Sequence, residues 1–459
     1  MFIFYDIETT GTNIVFDQIL QFGAILADDD LTEIERFEIR CRLLPWIVPA
    51  PGALLITGTP VSQLENPLLP DFFTMMGIIN RRLADWGPAT FVGYNSMRFD
   101  EPFLQRAFWQ ALLPPYLTVT GGNARLDLLP IIRAAAYFRP GLLDIPLRED
   151  GTSSFRLDGI APANGFNAHR AHDAMGDVEA TLFLARCIAR NLPELWKPLV
   201  ARALKKSSAA ILASGTPIFL VQHGGTPQVG FYRRIDMSGS QGSHAVLARL
   251  DYDWRDAKTR IDNFTANETA GLRRALRRVA LNKAPLVFTL AEAEALAGSA
   301  PAATELAQAQ FLAGDDDYCL RLTELIAPPA HEKSAHSTEV EETIFEGFAS
   351  SPDERLMADF HRAEVLDRVM IARTFFDKRF RRLAMRIVHV TAPHLLSDGE
   401  QAQMRDGIAR RLDAAREDLH PWRSIADALA ELEAHPGRVA TDEDDAIRIW
   451  LEQRRPPVQ

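Results

Sequence analysis

The chain begins with an apolar run, Met1-Phe2-Ile3-Phe4-Tyr5, that passes directly into Asp6-Ile7-Glu8. Phe2 to Glu8 reads as the first strand of a sheet and, being so apolar, as a central one. Side chains two apart on a strand share a face, so Asp6 and Glu8 project together from its end. Two like charges at the margin of a core need a cation between them. An Asp-x-Glu pair alone is common and usually just exposed, so its meaning depends on what else the chain supplies.

Further carboxylates stand at structural transitions. In Gly93-Tyr94-Asn95-Ser96-Met97-Arg98-Phe99-Asp100 an apolar strand runs into a polar turn and then a helix, which presents Asp100 at a helix N-terminus, where a plain N-cap is the ordinary alternative. In His172-Asp173-Ala174-Met175-Gly176-Asp177-Val178, His172 and Asp177 bracket the start of a helix, close enough to reach one site. His169 and Asp173 beside them read as solvated or capping. Asp6, Glu8, Asp100 and Asp177 are hard oxygen ligands, and His172 is the side-chain type suited to general-base work near neutrality. The combination suits two-metal phosphodiester hydrolysis. One metal would acidify an attacking water, the other would stabilise the leaving 3′ oxygen, and His172 would take the water's proton.

At 459 residues the chain has room for roughly three domains. Its 47% hydrophobic and 24% charged residues exclude a disordered chain or a fibre. Strand patterns at Phe2 to Glu8, Gln18 to Ala27 and Glu33 to Arg42 form an antiparallel meander. A strand at Thr90 to Tyr94 and helices at Glu101 to Ala111, Leu126 to Phe138 and Ala174 to Asn191 then make residues 1–200 a mixed α/β domain. Short β-like runs follow from Pro217, with a helix over Ala266 to Val279 and an alanine- and acid-rich irregular connection from Ala291 to Glu346. Residues 201–346 therefore read as a small β-rich domain. Residues 347–459 are helical in pattern.

With these blocks in place the sequence resembles the histidine-containing branch of the ribonuclease H-like DEDD exonuclease superfamily, on Asp6 to Gly11, Gly93 to Asp100 and His172 to Asp177. All five functional positions are intact. The resemblance extends to the bacterial exodeoxyribonuclease I family through Pro51 to Gly58, Ser154-Phe155-Arg156-Leu157 and Ala171 to Val178, and weakly through Asn282 to Pro285 and Phe376 to Arg379. It implies an α/β ribonuclease H-like exonuclease domain, an SH3-like β-rich domain and an α-helical C-terminal domain. It implies magnesium, two ions with manganese as a substitute, and a 3′-to-5′ attack on single-stranded DNA that releases 5′-mononucleotides in DNA repair and recombination. It implies substrate contacts from Glu8, Thr9 and Arg156, and contact with the acidic tail of single-stranded-DNA-binding protein. A monomer is expected. A 3′-to-5′ exoribonuclease of the same fold and a degenerate, purely binding module are the rivals; the intact ligands speak against the second.

Net charge is −11, so no uniformly basic surface awaits nucleic acid, yet residues 201–300 hold 14 basic and 8 acidic side chains. Arg273, Arg274, Arg277 and Arg278 recur at helical spacing and, with Lys283, offer a cationic face to a phosphate backbone; a solvated face is the even alternative. Arg379, Arg381, Arg382 and Arg386 form a similar cluster. Phe231, Tyr232 and Trp254 could stack bases but are more often core in a small β domain. His331-Glu332-Lys333-Ser334-Ala335-His336 is one residue too long for a zinc-protease motif, and Gly121-Gly122 and Gly224-Gly225 read as turns. Cys41, Cys187 and Cys319 are too scattered for a disulfide framework or a cysteine zinc site. No signal peptide is recognisable, and the uncharged stretches Leu43 to Leu64 and Ser207 to Tyr232 are broken by Pro and Gly, so a cytoplasmic protein without membrane contact is expected.

Overall fold

The computed structural model describes residues 1–167, 172–222, 228–236, 243–260, 264–327, 339–434 and 441–456. The first sheet contains β1 (Phe2–Thr9), β2 (Ile19–Ala27), β3 (Glu33–Arg40), β4 (Thr90–Gly93) and β5 (Ala124–Asp127), in the order β3-β2-β1-β4-β5. The meander β1-β2-β3 is antiparallel and β4 and β5 add in parallel, so β1 is central, as its apolar run requires.

Alternation along β1 feeds two cores. Phe2 and Phe4 face a cluster with Ile25, Val92 and the helix Ala174–Asn191. Ile3, Tyr5 and Ile7 face another with the helices Phe72–Trp86 and Asp100–Gln110. Asp6 and Glu8, even-numbered like Phe4, thus emerge on the side of the helix Ala174–Asn191. That helix has the bounds its apolar periodicity suggests. The helix expected over Leu126 to Phe138 begins two residues later. Ala124–Asp127 is claimed by β4 as a strand, and the Asp127 carboxylate, accepting the Leu129 N–H at 3.1 Å, starts the helix at Leu128.

The second sheet is wholly antiparallel: β6 (Ile218–Gln222), β7 (Gln228–Arg234), β8 (His244–Arg249), β9 (Leu276–Ala280) and β10 (Leu286–Phe288), in the order β10-β6-β7-β8-β9. One expectation fails here. The helix from Ala266, opened by the Thr265/Glu268 capping box, stops at Ala275, and Leu276–Ala280 pairs with β8 instead. Leu276 and Val279, three apart, fit a helical period equally well, and pairing with a distant strand decides between them.

The described part of the alanine- and acid-rich segment is not the irregular connection expected: Leu290–Ala297, Ala303–Ala313 and Asp316–Leu325 are helices, with Leu296, Leu312, Tyr318 and Leu322 buried. Alanine and glutamate are strong helix formers, and only one or two large apolar anchors per helix blurred the pattern. From Ser351 to Gln453 the described secondary structure is helical, as expected, with connections such as residues 413–424 between the helices. Phe360, Phe375, Phe380 and Leu383 join the core cluster of Phe103 and Phe108, so this helical part packs directly on the first sheet's helices. No described helix is long and apolar enough to cross a membrane.

Candidate metal centre

The centre starts from the approach of the helix Ala174–Asn191 to the sheet. Gly23 lies opposite Asp6 across β1 and β2, and a Cβ there would come within 2.9 Å of the Ala174 carbonyl carbon and the Met175 nitrogen. Lacking one, the strand admits the helix N-terminus. The Asp173 carboxylate caps that terminus by accepting the Gly176 N–H, and is gripped by Arg40 at 2.6 Å and Gln21 at 2.8 Å, the capping role its position suggests. Asp177 is thereby carried one turn into the helix and over the end of β1.

The result is that Asp6, Glu8 and Asp177 each offer an oxygen within 4.8 Å of the others. Asp100 closes the site from β4. It is the first residue of its helix, not the N-cap, which is Phe99, and it is 3% exposed. Burial, and then the charges of Asp100, Asp177 and Glu8, drive the Asp6 carboxyl well above the usual carboxylate range. Burial followed by Asp177, Asp100 and Asp173 pushes Glu8 up to about 8, with Arg40 easing it slightly. Asp100 is likewise raised to about 8, chiefly by burial. Arg40 is committed to Asp173 and Glu38. Four carboxylates gathered at the end of β1, three of them with proton affinities raised chiefly by burial, form a donor set for hard divalent cations.

His172, next in the chain to the Asp173 cap, is half-buried and in the left-handed backbone region at φ 62°. Such a conformation in a non-glycine residue is strained and is typical of functional positions. It lies near the exposed Arg156, which holds Asp158 at 2.7 Å; Arg156 and, less strongly, His172 lower the Asp158 carboxyl. Thr9, at the end of β1 opposite Ile19, is buried, and its hydroxyl donates to the Gly11 carbonyl at 2.6 Å. His169 lies outside the described residues.

Sequence reasoning passed over Asp127. Besides capping its helix, its carboxylate accepts the N–H groups of Asn95 at 2.8 Å and Met97 at 3.3 Å, and so fixes the turn that delivers Asp100. The strand-to-helix junction was the available signal. Tyr94 complements it by donating to the Phe155 carbonyl at 2.6 Å, which ties this turn to Arg156.

The basic residues are redistributed. Arg273 and Arg274 end a helix and are exposed, whereas Arg277 and Arg278 are on β9, where neighbours point to opposite faces, so the four do not form one helical face. Arg277 is bonded to Gln222 and to the Arg274 and Leu276 carbonyls. Lys283 lines a cleft of about 640 Å³ with Lys205, Lys206, Tyr116 and Phe345, which reaches Met97 and Glu101 beside Asp100. The Lys205-Lys206 doublet was legible in the basic middle segment and was missed. In the second arginine cluster, Arg379 holds Asp377 and the Thr343 carbonyl, Arg381 the Phe375 carbonyl, and buried Arg386 pairs with Glu341. Those three serve the fold. Phe231, Tyr232 and Trp254 are buried core. Gly121 and Gly122, at φ 63° and 90°, make a turn; Gly224-Gly225 and His331 to His336 lie outside the described residues.

Comparison with known proteins follows these divisions. Residues 3–184 match the family model described as exonuclease, and residues 338–451 match that described as the exonuclease I C-terminal domain. The chain is similar to exodeoxyribonuclease I of Escherichia coli K12, 32% identical over 213 residues, which are 46% of this chain and 44% of that protein. It is 34% identical over 238 residues to exodeoxyribonuclease I of Haemophilus influenzae, covering 50% and 49%. The chain thus spans about half the length of the curated relatives it matches. Similarity of fold extends further. Escherichia coli exonuclease I in complex with a dA16 oligonucleotide superposes with a TM-score of 0.78 at 24% identity over 98% of both chains. A moderately thermophilic exonuclease I from Methylocaldum szegediense gives 0.75 at 24% identity over 99% and 98%.

Proposed function

We propose that this chain, whose residues 3–184 match the exonuclease family model and whose residues 338–451 match that of the exonuclease I C-terminal domain, is a 3′-to-5′ exonuclease that hydrolyses single-stranded DNA to 5′-mononucleotides. The observation that carries the reading is the convergence of Asp6, Glu8 and Asp177, with the Asp100 charge acting on Asp6 beside them. Asp6, Glu8, Asp100 and Asp177 would hold divalent cations, two magnesium ions or manganese in their place. Bound there, such ions supply an acidified water and stabilise charge on the leaving oxygen.

The chain's own residues do the rest. His172, near Arg156, takes the proton of the attacking water. Arg156 exchanges Asp158 for a phosphate of the terminal nucleotide, and the Thr9 backbone meets the 3′ end. The strand leaves through the cleft of Lys205, Lys206 and Lys283, where Tyr116 and Phe345 offer rings to unpaired bases. A place in DNA repair and recombination, and a contact with the acidic tail of single-stranded-DNA-binding protein, follow from the family alone.

The direct test of polarity uses a 5′-labelled single strand with magnesium. Products should shorten stepwise from the 3′ end, a 3′-phosphate should inhibit strongly, and RNA of the same sequence should be degraded far more slowly. Cleavage of circular single strands or release from the 5′ end would contradict the reading.

The cleft gives a second expectation. Replacing Lys205, Lys206 and Lys283 by Ala should weaken binding of a long single strand and flatten its log–log salt slope by up to about two units, at roughly 0.7 per lost phosphate contact. Cleavage of a trinucleotide should fall much less. An unchanged slope, measured beside that of the Arg273→Ala/Arg274→Ala protein, would move the strand's path elsewhere.

A further inference from the structure

After Thr9 the chain turns through residues 10–17 before entering β2. Asp17 closes this turn from within: one carboxylate oxygen accepts the Thr10 hydroxyl at 2.9 Å, the other the Asn13 N–H at 2.8 Å. Asp17 is buried, and burial raises its carboxyl against the opposing pull of Arg423. Arg423 comes from the helical part of the chain, over four hundred residues away, and its Nη1 lies 3.3 Å from Asp17 Oδ1. Among the described residues it is the cation that pairs with Asp17.

Arg423 also faces a second carboxylate, Glu431, at 3.7 Å. Glu431 accepts the Gly52 N–H at 3.0 Å, and Ala50, two residues earlier, donates its N–H to the Thr10 carbonyl at 2.7 Å. One guanidinium therefore bridges the two acids that hold the chain on either side of Thr10. The contact is reinforced by Asn13 Nδ2 donating to the Pro421 carbonyl at 3.1 Å and by Phe16 edge-on to Trp422, with ring centres 6.2 Å apart. Gly11 fits beneath because it has no side chain: a Cβ would lie 2.5 Å from Asp17 and 3.0 Å from Arg423.

We propose that Arg423 is a positioning residue of the nuclease centre: acting through Asp17, it fixes the turn that follows Glu8 and Thr9, so that the helical part of the chain sets where the 3′-terminal nucleotide rests. This role depends on the exonuclease reading above, in which Glu8 and Thr9 meet that nucleotide. Without Arg423 no other cation among the described residues pairs with the buried Asp17 carboxylate, and the turn loosens.

The experiment compares Arg423→Ala, Arg423→Lys, Asp17→Asn and the double Asp17→Asn/Arg423→Ala in the full chain. It reads amide hydrogen exchange over residues 9–18 together with kcat and KM on a trinucleotide. Arg423→Ala should exchange about tenfold faster in that segment, with exchange in the distant helix Ala303–Ala313 unaltered. Its kcat should fall about tenfold, with a smaller change in KM. Arg423→Lys should recover most of both, and the double variant should be no worse than Arg423→Ala, since the two residues act as one unit. Wild-type exchange and kcat in Arg423→Ala, or losses that add in the double variant, would overturn the proposal. Should Arg423→Ala fail to fold, Asp17→Asn and Arg423→Lys carry the same comparison. Faster exchange with no trinucleotide cleavage by the wild type would instead overturn the exonuclease reading, and the positioning role with it.

Discussion

Asp177→Ala should lose at least about a thousandfold in cleavage rate while its fold and most of its single-strand binding survive. A bound metal contributes several kcal/mol of transition-state charge stabilisation, and about 4 kcal/mol is a thousandfold. Asp177 is one of the three carboxylates brought within 4.8 Å of one another, and among the described residues no other group joins Asp6 and Glu8 at that distance. The same substitution should change the apoprotein in the opposite sense. Glu8 and Asp100 stand near 8 in the folded chain against ordinary values of 4.5 and 3.8. Between the ordinary carboxylate range and about 8 the folded state therefore binds more protons than the unfolded one, so stability in chelator is greatest at the acid end and falls as pH rises through that window. Asp177 is a leading source of the repulsion at Glu8, and its removal should flatten the fall. Thermal unfolding in chelator at pH 5 and pH 8.5 reads this directly; equal slopes in the two proteins would break the electrostatic link between Asp177 and Glu8.

His172→Ala should slow the chemical step by about a hundredfold, the usual scale for a positioned acid–base group, with little effect on strand binding. Because a base works only when unprotonated, the wild-type rate should rise with pH on its acid limb, and that limb should vanish in the variant. His172 is proposed as the base on its residue type and its left-handed backbone position, next to the Asp173 cap. An unchanged single-turnover rate and pH profile in His172→Ala would remove it as the base.

What the sequence made visible is what local pattern alone determines. The run from Phe2 to Glu8 could hardly be anything but a central strand with two acids at its end, and the bounds of Ala174–Asn191 follow from the Asp173 cap and an apolar stripe. What stayed hidden depends on partners far along the chain. β5 and β9 are strands because β4 and β8 lie beside them, and five residues such as Leu276–Ala280 carry no decisive period. Arg386 looked like part of a phosphate-binding face, yet it is buried against Glu341, whose carboxyl Arg386 and Arg411 hold down at about 2. Asp127 and Arg423 were invisible as site residues for the same reason. Each acts on a turn about 30 or 400 residues away, and nothing in their own neighbourhoods announces it.

The central claim is that Asp6, Glu8, Asp100 and Asp177 together form a metal site. It is tested most directly by titrating manganese into the metal-free wild-type protein and into Asp177→Ala at pH 8, followed by calorimetry, with cleavage of a single strand measured on the same samples. The expected result is saturable binding by the wild type that parallels the onset of cleavage, and loss of both in Asp177→Ala. Equal manganese uptake by the two proteins, or cleavage by the wild type that persists in excess chelator, would contradict it.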